Sequence, residues 1–428
     1  MKYNTQNKKI ASITEKTLVV GIDVGSQVHY ARAFDWRNYE YSKKAFAFSN
    51  DEEGFMAFKN WMNEIAEKHQ KEAIIPGMEP TGHYWFSLGA FLQNNGMRVV
   101  HVNPHHVKKS KELDDNNPNK NDRKDPKTIA ALVNEGRFSY PYIPTGIYAE
   151  IRNLSNLRFR TQEEITRIKN RLARWFSIYF PEYKDVYGNL DAVSGMMILK
   201  EAPLPADIVK LGVEGINKIW RDAKLRAVGM KRAKTLVNKA EHSIGSHEAP
   251  EAARVELVML LNDYEMYNLR MEELMNTIEE KLQEIPYIDK LMEIKGIGMI
   301  TICGFIAEVG DIRRFDNPKQ LQKLAGYAVV SNDSGKHNGE SHISYRGRKR
   351  LRYVLYEAAI SLIGKNPEFK EIHNYYLTRD KNPLKKMQSV IAVACKVIRV
   401  FYMMLTKGIS YDGTKMLNDI KRRELTMI

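Results

Sequence analysis

The stretch from Thr17 to Gly25, TLVVGIDVG, constrains the fold of this 428-residue chain more than any other. Leu18, Val19, Val20 and Ile22 form a short apolar run, rich in β-branched residues and closed by Gly25. Residues of that type over that length predict a buried strand. Asp23 stands at its end. A lone charge is costly to bury, so a carboxylate on a core strand is paired or holds a metal. The other reading is a turn-forming Asp ahead of glycine. The stretch alone leaves both open, and the question becomes whether other carboxylates converge on Asp23.

Downstream, His29 to Phe34 and Tyr41 to Phe48 have strand character around a turn at Trp36, Arg37 and Asn38, which predicts a hairpin beside the first strand. Ser49 and Asn50 precede a segment with Phe55, Phe58, Met62 and Ile65 at helical spacing and an acidic first turn. Ala73 to Ile75 begins a second apolar run, with Glu79 at its exit in MEPTGHYW. Tyr84 to Gln93 reads as a helix ended by Asn94-Asn95-Gly96, and Met97 to Val102 as a third core strand. In KNDRKDPKTIAALV, Asp122 and Asp125 are three apart and Asp125 precedes Pro126. Proline suits a first helical turn, so a helix is expected from there through Val133. A spacing of three puts both carboxylates on one face. An acidic helix start that complements the macrodipole accounts for either aspartate taken singly. Asp23, Glu79, Asp122 and Asp125 together supply the three or four carboxylates that a pair of magnesium ions about 3.5–4 Å apart requires.

Charge narrows the partner. With 66 Lys and Arg against 52 Asp and Glu, the net charge is +14. Basic residues along most of the chain suggest a long polyanion; a basic but unspecialised surface is the plain alternative. Apolar content of 43% is that of a globular protein. The two cysteines, Cys303 and Cys395, sit in apolar settings and read as core residues in a reducing compartment. The first residues lack the apolar stretch of a signal peptide, and no apolar run is expected to reach the ~20 residues that span a membrane. A cytoplasmic protein without membrane partners is expected.

The middle of the chain, 146 to 290, is helical. Ile151, Leu154, Ile165, Ile168, Leu172 and Trp175 keep nearly a 3-4 alternation, and a second long helix runs from about Pro250 to Glu284. An antiparallel pair within the chain and a dimerising coiled coil both fit. The insert at 185–248 reads as several short basic helices.

The last third, 291 to 428, has three features. LMEIKGIGMITICGF reads as helix, tight turn, helix, and Lys295, Gly296 and Gly298 could bring backbone amides to a phosphate. An ordinary helical turn reads the same. A polar loop follows with Ser331, Ser334 and Lys336. Then Arg346, Arg348, Lys349, Arg350 and Arg352 crowd a helix start, a setting that suits phosphates. Ser334, before Gly335 and Lys336, is the better placed hydroxyl to attack a phosphodiester. Loop serines are far more often turn formers, and residue chemistry alone does not promote it.

The order of these motifs, GIDVG, MEPTGHYW, VNPHHVKK and KNDRKDPKTIA in front, then IKGIGMITICGFIAEVGD, LAGY and SGKHNGESHISYRGRKRLR behind, resembles the insertion-sequence 110 family of transposases, the bridge-RNA-guided DNA recombinases. The resemblance implies an α/β plus all-α chain: a ribonuclease H-like, RuvC-type domain at 15–145, a coiled-coil region at 146–290 and a transposase domain at 291–428. It puts the D-E-D-D tetrad on Asp23, Glu79, Asp122 and Asp125, with Mg²⁺ as cofactor, and the catalytic serine on Ser334. It implies a phosphoserine link to DNA, a structured guide RNA that pairs with donor and target DNA, and a composite site shared between protomers. The oligomer so implied is a dimer that becomes a tetramer in the synaptic complex. A RuvC-like nuclease that resolves junctions with water and Mg²⁺ is the alternative. The sequence departs from the family at Tyr327-Ala328-Val329-Val330, where an apolar residue and proline are usual, and in its long insert.

Overall fold

The computed structural model describes residues 2–42, 44–80, 82–114, 125–330 and 341–421. It divides into two compact units, Met1–Ile143 and Pro144–Ile428.

The first unit is built on one mixed sheet. After helix α1 (Lys2–Ala11) come β1 (Thr17–Asp23), β2 (Val28–Phe34) and β3 (Phe46–Ser49), then α2 (Glu52–Lys68), β4 (Ala73–Met78), α3 (Trp85–Asn94), β5 (Val100–Val102), α4 (Pro104–Asp114), α5 (Asp125–Asn134) and β6 (Phe138–Ser139). The strand order is β3-β2-β1-β4-β5-β6. β1 pairs antiparallel with β2 and parallel with β4, so the first apolar run lies at the centre of the sheet. Its faces alternate: Leu18, Val20 and Ile22 join the core that includes Phe58 and Leu88, while Val19 joins the core that includes Ile129 and Val133. Burial on both faces is why the strand is apolar at successive positions. Burying each large side chain contributes about 1.5–3 kcal/mol. α2 starts on Asp51, whose carboxylate accepts the Gly54 amide at 2.8 Å.

Several expectations change in detail. The strand expected over Tyr41–Phe48 is confined to β3, with a single bridge among the described residues, Phe34 to Glu40, before it. The third core strand keeps three residues, as it pairs with β4 only at Gly77 and Met78. The buried Asp35 carboxylate holds the turn after β2 by accepting the amides of Arg37 and Tyr39, both at 2.8 Å.

The second unit is helical. α6 (Ile147–Tyr179) lies along α11 (Pro250–Gln283). The Trp175 indole donates to Ala253 O at 3.0 Å, while Ile151 shares a core with Ile278 and Leu282. The start of each helix therefore meets the end of the other, an antiparallel pair. Between them, α7 (Tyr183–Val186), α8 (Val193–Glu201), α9 (Pro205–Asp222) and α10 (Met230–Glu241) close a core around Trp175, Trp220 and Leu257. α9 bends at Gly212, and α8 is largely apolar, so the insert is less uniformly basic than expected.

The core that holds Ile151 and Ile278 takes in α12 (Ile288–Met292), α13 (Met299–Val309), α14 (Pro318–Ala325), α15 (Lys349–Lys365), α16 (Pro367–Thr378), α17 (Lys386–Lys407) and α18 (Gly413–Lys421), with β8 (His342–Ile343) at its edge and the paired β7 (Val329–Val330) exposed. α17 corrects one expectation: by length and composition alone it is long and apolar enough to cross a membrane. Its apolar side is spent inside the protein, where Val393, Val397, Ile398 and Phe401 are buried. Cys303 is buried and Cys395 partly so, and burial raises both thiols to about 11, as expected of inert core cysteines.

Candidate functional site

The parallel register sets the acidic end of the sheet. Gly21 faces Gly77 and Ile22 faces Met78, so Asp23 and Glu79 come next on adjacent strands. Side chains alternate along a strand, so both carboxylates lie on the face of Gly21 and Gly77 rather than that of Ile22 and Met78. α5 crosses that face. A Cβ on Gly21 would sit 1.8 Å from Pro126 O, and one on Gly77 would sit 2.6 Å from a Val133 methyl. Bare backbone at these positions lets the head of α5 settle on β1, and Asp125 is the first residue of that helix.

Asp125 is buried, and its carboxylate is ion-paired with Lys111 of α4. Glu79 feels the same two groups. Its carboxyl is pushed above the usual range chiefly by burial and also by the Asp125 charge, with Lys111 working against both. Strand register, helix packing and electrostatics thus bring Glu79 and Asp125 to one place, with Asp23 beside Glu79 in register. Asp122 lies outside the described residues. Among the described residues no group of three or more His, Cys, Asp or Glu stands close enough to cage a metal. The donor set nevertheless fits a hard divalent cation: partly desolvated carboxylate oxygens, an elevated Glu79 and a lysine already drawn to the same charge. Lys111 is the residue that sequence reading passed over. Its signal was only a basic run, VKKSKEL, one helix before the D-x-x-D pair.

In the second unit the root of the β7–β8 hairpin is tightly fixed. Ser331, Ser334 and Lys336 fall in the connection between these strands and lie outside the described residues. Gly326 ends α14 at φ +77°, and a Cβ on Gly347 would sit 2.4 Å from its amide nitrogen. The Ser344 amide donates to Ala328 O at 2.8 Å and the Arg348 amide to Leu324 O at 2.7 Å. Tyr327, the departure from the family pattern, is buried and its hydroxyl donates to Arg352 O at 2.8 Å.

The arginine run divides by role. Arg352 donates to Ala325 O and Tyr345 O, both at 3.1 Å. Arg348 donates to Glu308 O at 2.5 Å and pairs with its carboxylate at 3.4 Å. Arg350 donates to the Asn156 side chain. These three fasten the hairpin root and α15, while Arg346 and Lys349 are exposed. In the KGIG turn, Gly296 has φ +101° and its carbonyl accepts the Ser361 hydroxyl at 2.8 Å. Lys295 and Gly298 are exposed, and Gly298 caps α13 without a side-chain acceptor. α12 before the turn is only five residues long.

Comparison with known proteins matches both ends of the chain to transposase families. Residues 20–181 match the DEDD_Tnp_IS110 transposase family, and residues 288–374 match the family described as Transposase IS116/IS110/IS902. The 44.8 kDa protein of insertion element IS116 from Streptomyces clavuligerus is 25% identical over 90% of this chain and 94% of its own length. The 42 kDa protein of insertion element IS900 from Mycobacterium paratuberculosis is 23% identical over 66% of this chain and 71% of its own. The transposase for insertion sequence element IS1111A of Coxiella burnetii is 24% identical over 33% of this chain and 40% of its own. Matches at both ends and a relative aligned along nearly the whole length identify the chain as a member of the IS110/IS116 family of insertion-sequence transposases.

Proposed function

We propose that this transposase cuts and rejoins DNA through a covalent phosphoserine link at Ser334, with Mg²⁺ held by Asp23, Glu79, Asp122 and Asp125. The observation that carries the reading is the in-register pair Asp23 and Glu79 facing the helix that begins at Asp125. The strand order, three antiparallel strands followed by parallel β4 and β5, supports a ribonuclease H-like, RuvC-type frame for that site. Functionally the chain is read in three parts: the RuvC-like domain at 15–145, the helical pair with its insert at 146–290, and the serine-bearing domain at 291–428.

In this scheme the Ser334 Oγ–phosphorus bond forms as the bond from phosphorus to the 3′-oxygen breaks, and the hydroxyl proton of the serine ends on the departing 3′-oxygen. Rejoining reverses the step with the 3′-oxygen of another strand. When bound, the cation supplies positive charge to the phosphate and to the departing 3′-oxygen. Asp125 at the head of α5 and Glu79 just past β4 hold negative charge there, and Lys111 keeps it balanced. Arg346, Lys349, Lys295 and Lys336, with the amides at Gly296 and Gly298, take backbone phosphates. Arg352 fastens the root of the β7–β8 hairpin, while Arg348 ties the start of α15 to α13 and Arg350 ties it to α6.

A structured guide RNA reads sequence by base pairing while the protein holds backbone and shape, which the net charge of +14 supports. Assembly as a dimer and then a tetramer is supported by an outer stripe on α11. Val255, Met259, Met266 and Leu269 are 38–62% exposed and, with Asn262, follow a 4-3-4-3 rhythm, the seam of a coiled coil with a second copy.

The second reading is a nuclease in which water attacks and only the carboxylates act; the half-buried Glu79 beside the buried Asp125 is what favours it. DNA, guide RNA and Mg²⁺ on a denaturing gel separate the two. Protein-linked DNA that disappears in Ser334→Ala supports the serine. Cutting that survives Ser334→Ala, fails in Asp125→Ala and never links protein to DNA supports the nuclease.

A further inference from the structure

A groove of about 760 Å³ opens among α6, α13 and α15 in the second unit. Arg158 lines it and is only 9% exposed. Among the described residues its guanidinium makes no ion pair and no hydrogen bond. Its neighbours are the Phe159 ring, 4.8 Å away, the Cys303 thiol and the Tyr353 phenol. Arg350 lies over the same ring, also at 4.8 Å, and its hydrogen-bond partner is the neutral Asn156. Two guanidinium groups therefore share one aromatic ring with no carboxylate on either. Arginine stays charged in proteins, and a buried cation without a counterion is costly. The spot therefore suits an anionic group.

The first turn of α13 points to what it is. Gly298 offers no side-chain cap, and the Met299 and Ile300 amides have no acceptor among the described residues. Ile300 and Thr301 line the groove beside Arg158. Free amides at the start of an eleven-residue helix, next to an unpaired guanidinium, suit a phosphate oxygen. Around them stand exposed apolar surfaces, Ile300 at 51% and Tyr353 at 55%. Tyr353 gives a base a face to stack on. The exposed carboxylates of Glu163 and Glu357 also line the groove and oppose a second phosphate.

We propose that this groove binds one phosphodiester of an unpaired nucleic-acid segment, with the phosphate on Arg158 and the α13 amides and the base against Tyr353 and Ile300. The site is a holding point, and it stands whether or not Ser334 is the nucleophile. The test is binding of fluorescein-labelled 12-nucleotide single strands of one mixed sequence, as DNA and as RNA, to the full chain by fluorescence anisotropy. Arg158→Met should weaken binding about tenfold and reduce the slope of log affinity against log salt by about 0.7, the share of one phosphate on a single strand. Its melting temperature should hold or rise, since a buried unpaired charge is gone. A loss with RNA alone or DNA alone assigns the strand. An equal loss with a duplex overturns the assignment to unpaired strands. Unchanged affinity and slope with both single strands overturn the site. If Arg158→Met does not fold, Ile300→Glu at an exposed position places an anion in the groove. It should cost about fivefold or more, and no effect there overturns the site equally.

Discussion

Gly21→Ala tests how the acidic end of the sheet is built. The new Cβ would sit 1.8 Å from Pro126 O, 2.8 Å from Pro126 C and 2.9 Å from Ala130 N. All three are backbone atoms of α5, so no rotamer change relieves the overlap and the helix must lift off β1. Overpacking of this kind costs about 3 kcal/mol, the upper end for a single added methyl. For a unit of this size that lowers the melting temperature by roughly 6–12 °C. Gly77→Ala is the internal comparison. Its nearest neighbour is a Val133 methyl at 2.6 Å, a side chain that can shift, so the cost should be about 1 kcal/mol. The assay is urea unfolding of both variants, read from the transition that reports the first unit. Below their melting points, Gly21→Ala should also cut DNA at least about tenfold more slowly, because the carboxylate of Asp125 moves with the helix. Equal destabilisation by the two substitutions, or less than about 1 kcal/mol from Gly21→Ala, would refute the close seating of α5 on β1.

Three further outcomes are expected. Lys111→Met removes the charge that works against the elevation of Glu79, so the Glu79 carboxyl should titrate at higher pH, read by ¹³C NMR; an unmoved or lowered value would rule out the shared electrostatics. His101 is buried against Trp85 with its ring nitrogen Nε2 unpartnered, and burial lowers it to about 4. The unfolded chain then binds more protons than the folded one between about pH 6.5 and 4. Stability should therefore fall with falling pH, by about 2 kcal/mol at pH 5, and His101→Phe should flatten that dependence in chemical unfolding. Met259→Glu with Leu269→Glu on α11 should halve or further reduce the particle mass measured by light scattering. An unchanged mass would remove the outer stripe as an assembly seam.

The first strand was legible because β-branched residues buried on both faces leave an unbroken apolar run. Asp23 and Glu79 were legible as carboxylates ending two such runs. Their register was not, because pairing across 56 positions depends on the sheet and on glycines whose role is to have no side chain. Lys111 went unnoticed for a similar reason: an ion pair between separate helices leaves no spacing in the sequence. β7 and β8, at two residues each, are too short to show alternation. The arginine run was read by its charge density. Arg348 instead spends its donors on Glu308 of α13 and Arg352 on backbone carbonyls at the hairpin root, a use that charge alone does not distinguish from phosphate binding. α17 passes for a membrane span by length and composition because a central core helix and a span can share one composition.

The most direct measurement is mass spectrometry of the chain trapped on DNA during cutting. Trypsin after Lys323 and Lys336 releases LAGYAVVSNDSGK, which contains both Ser331 and Ser334. Fragmentation should find the nucleotide phosphate on Ser334. Attachment to Ser331, or DNA cut to completion with that peptide unmodified, would contradict the assignment of the nucleophile.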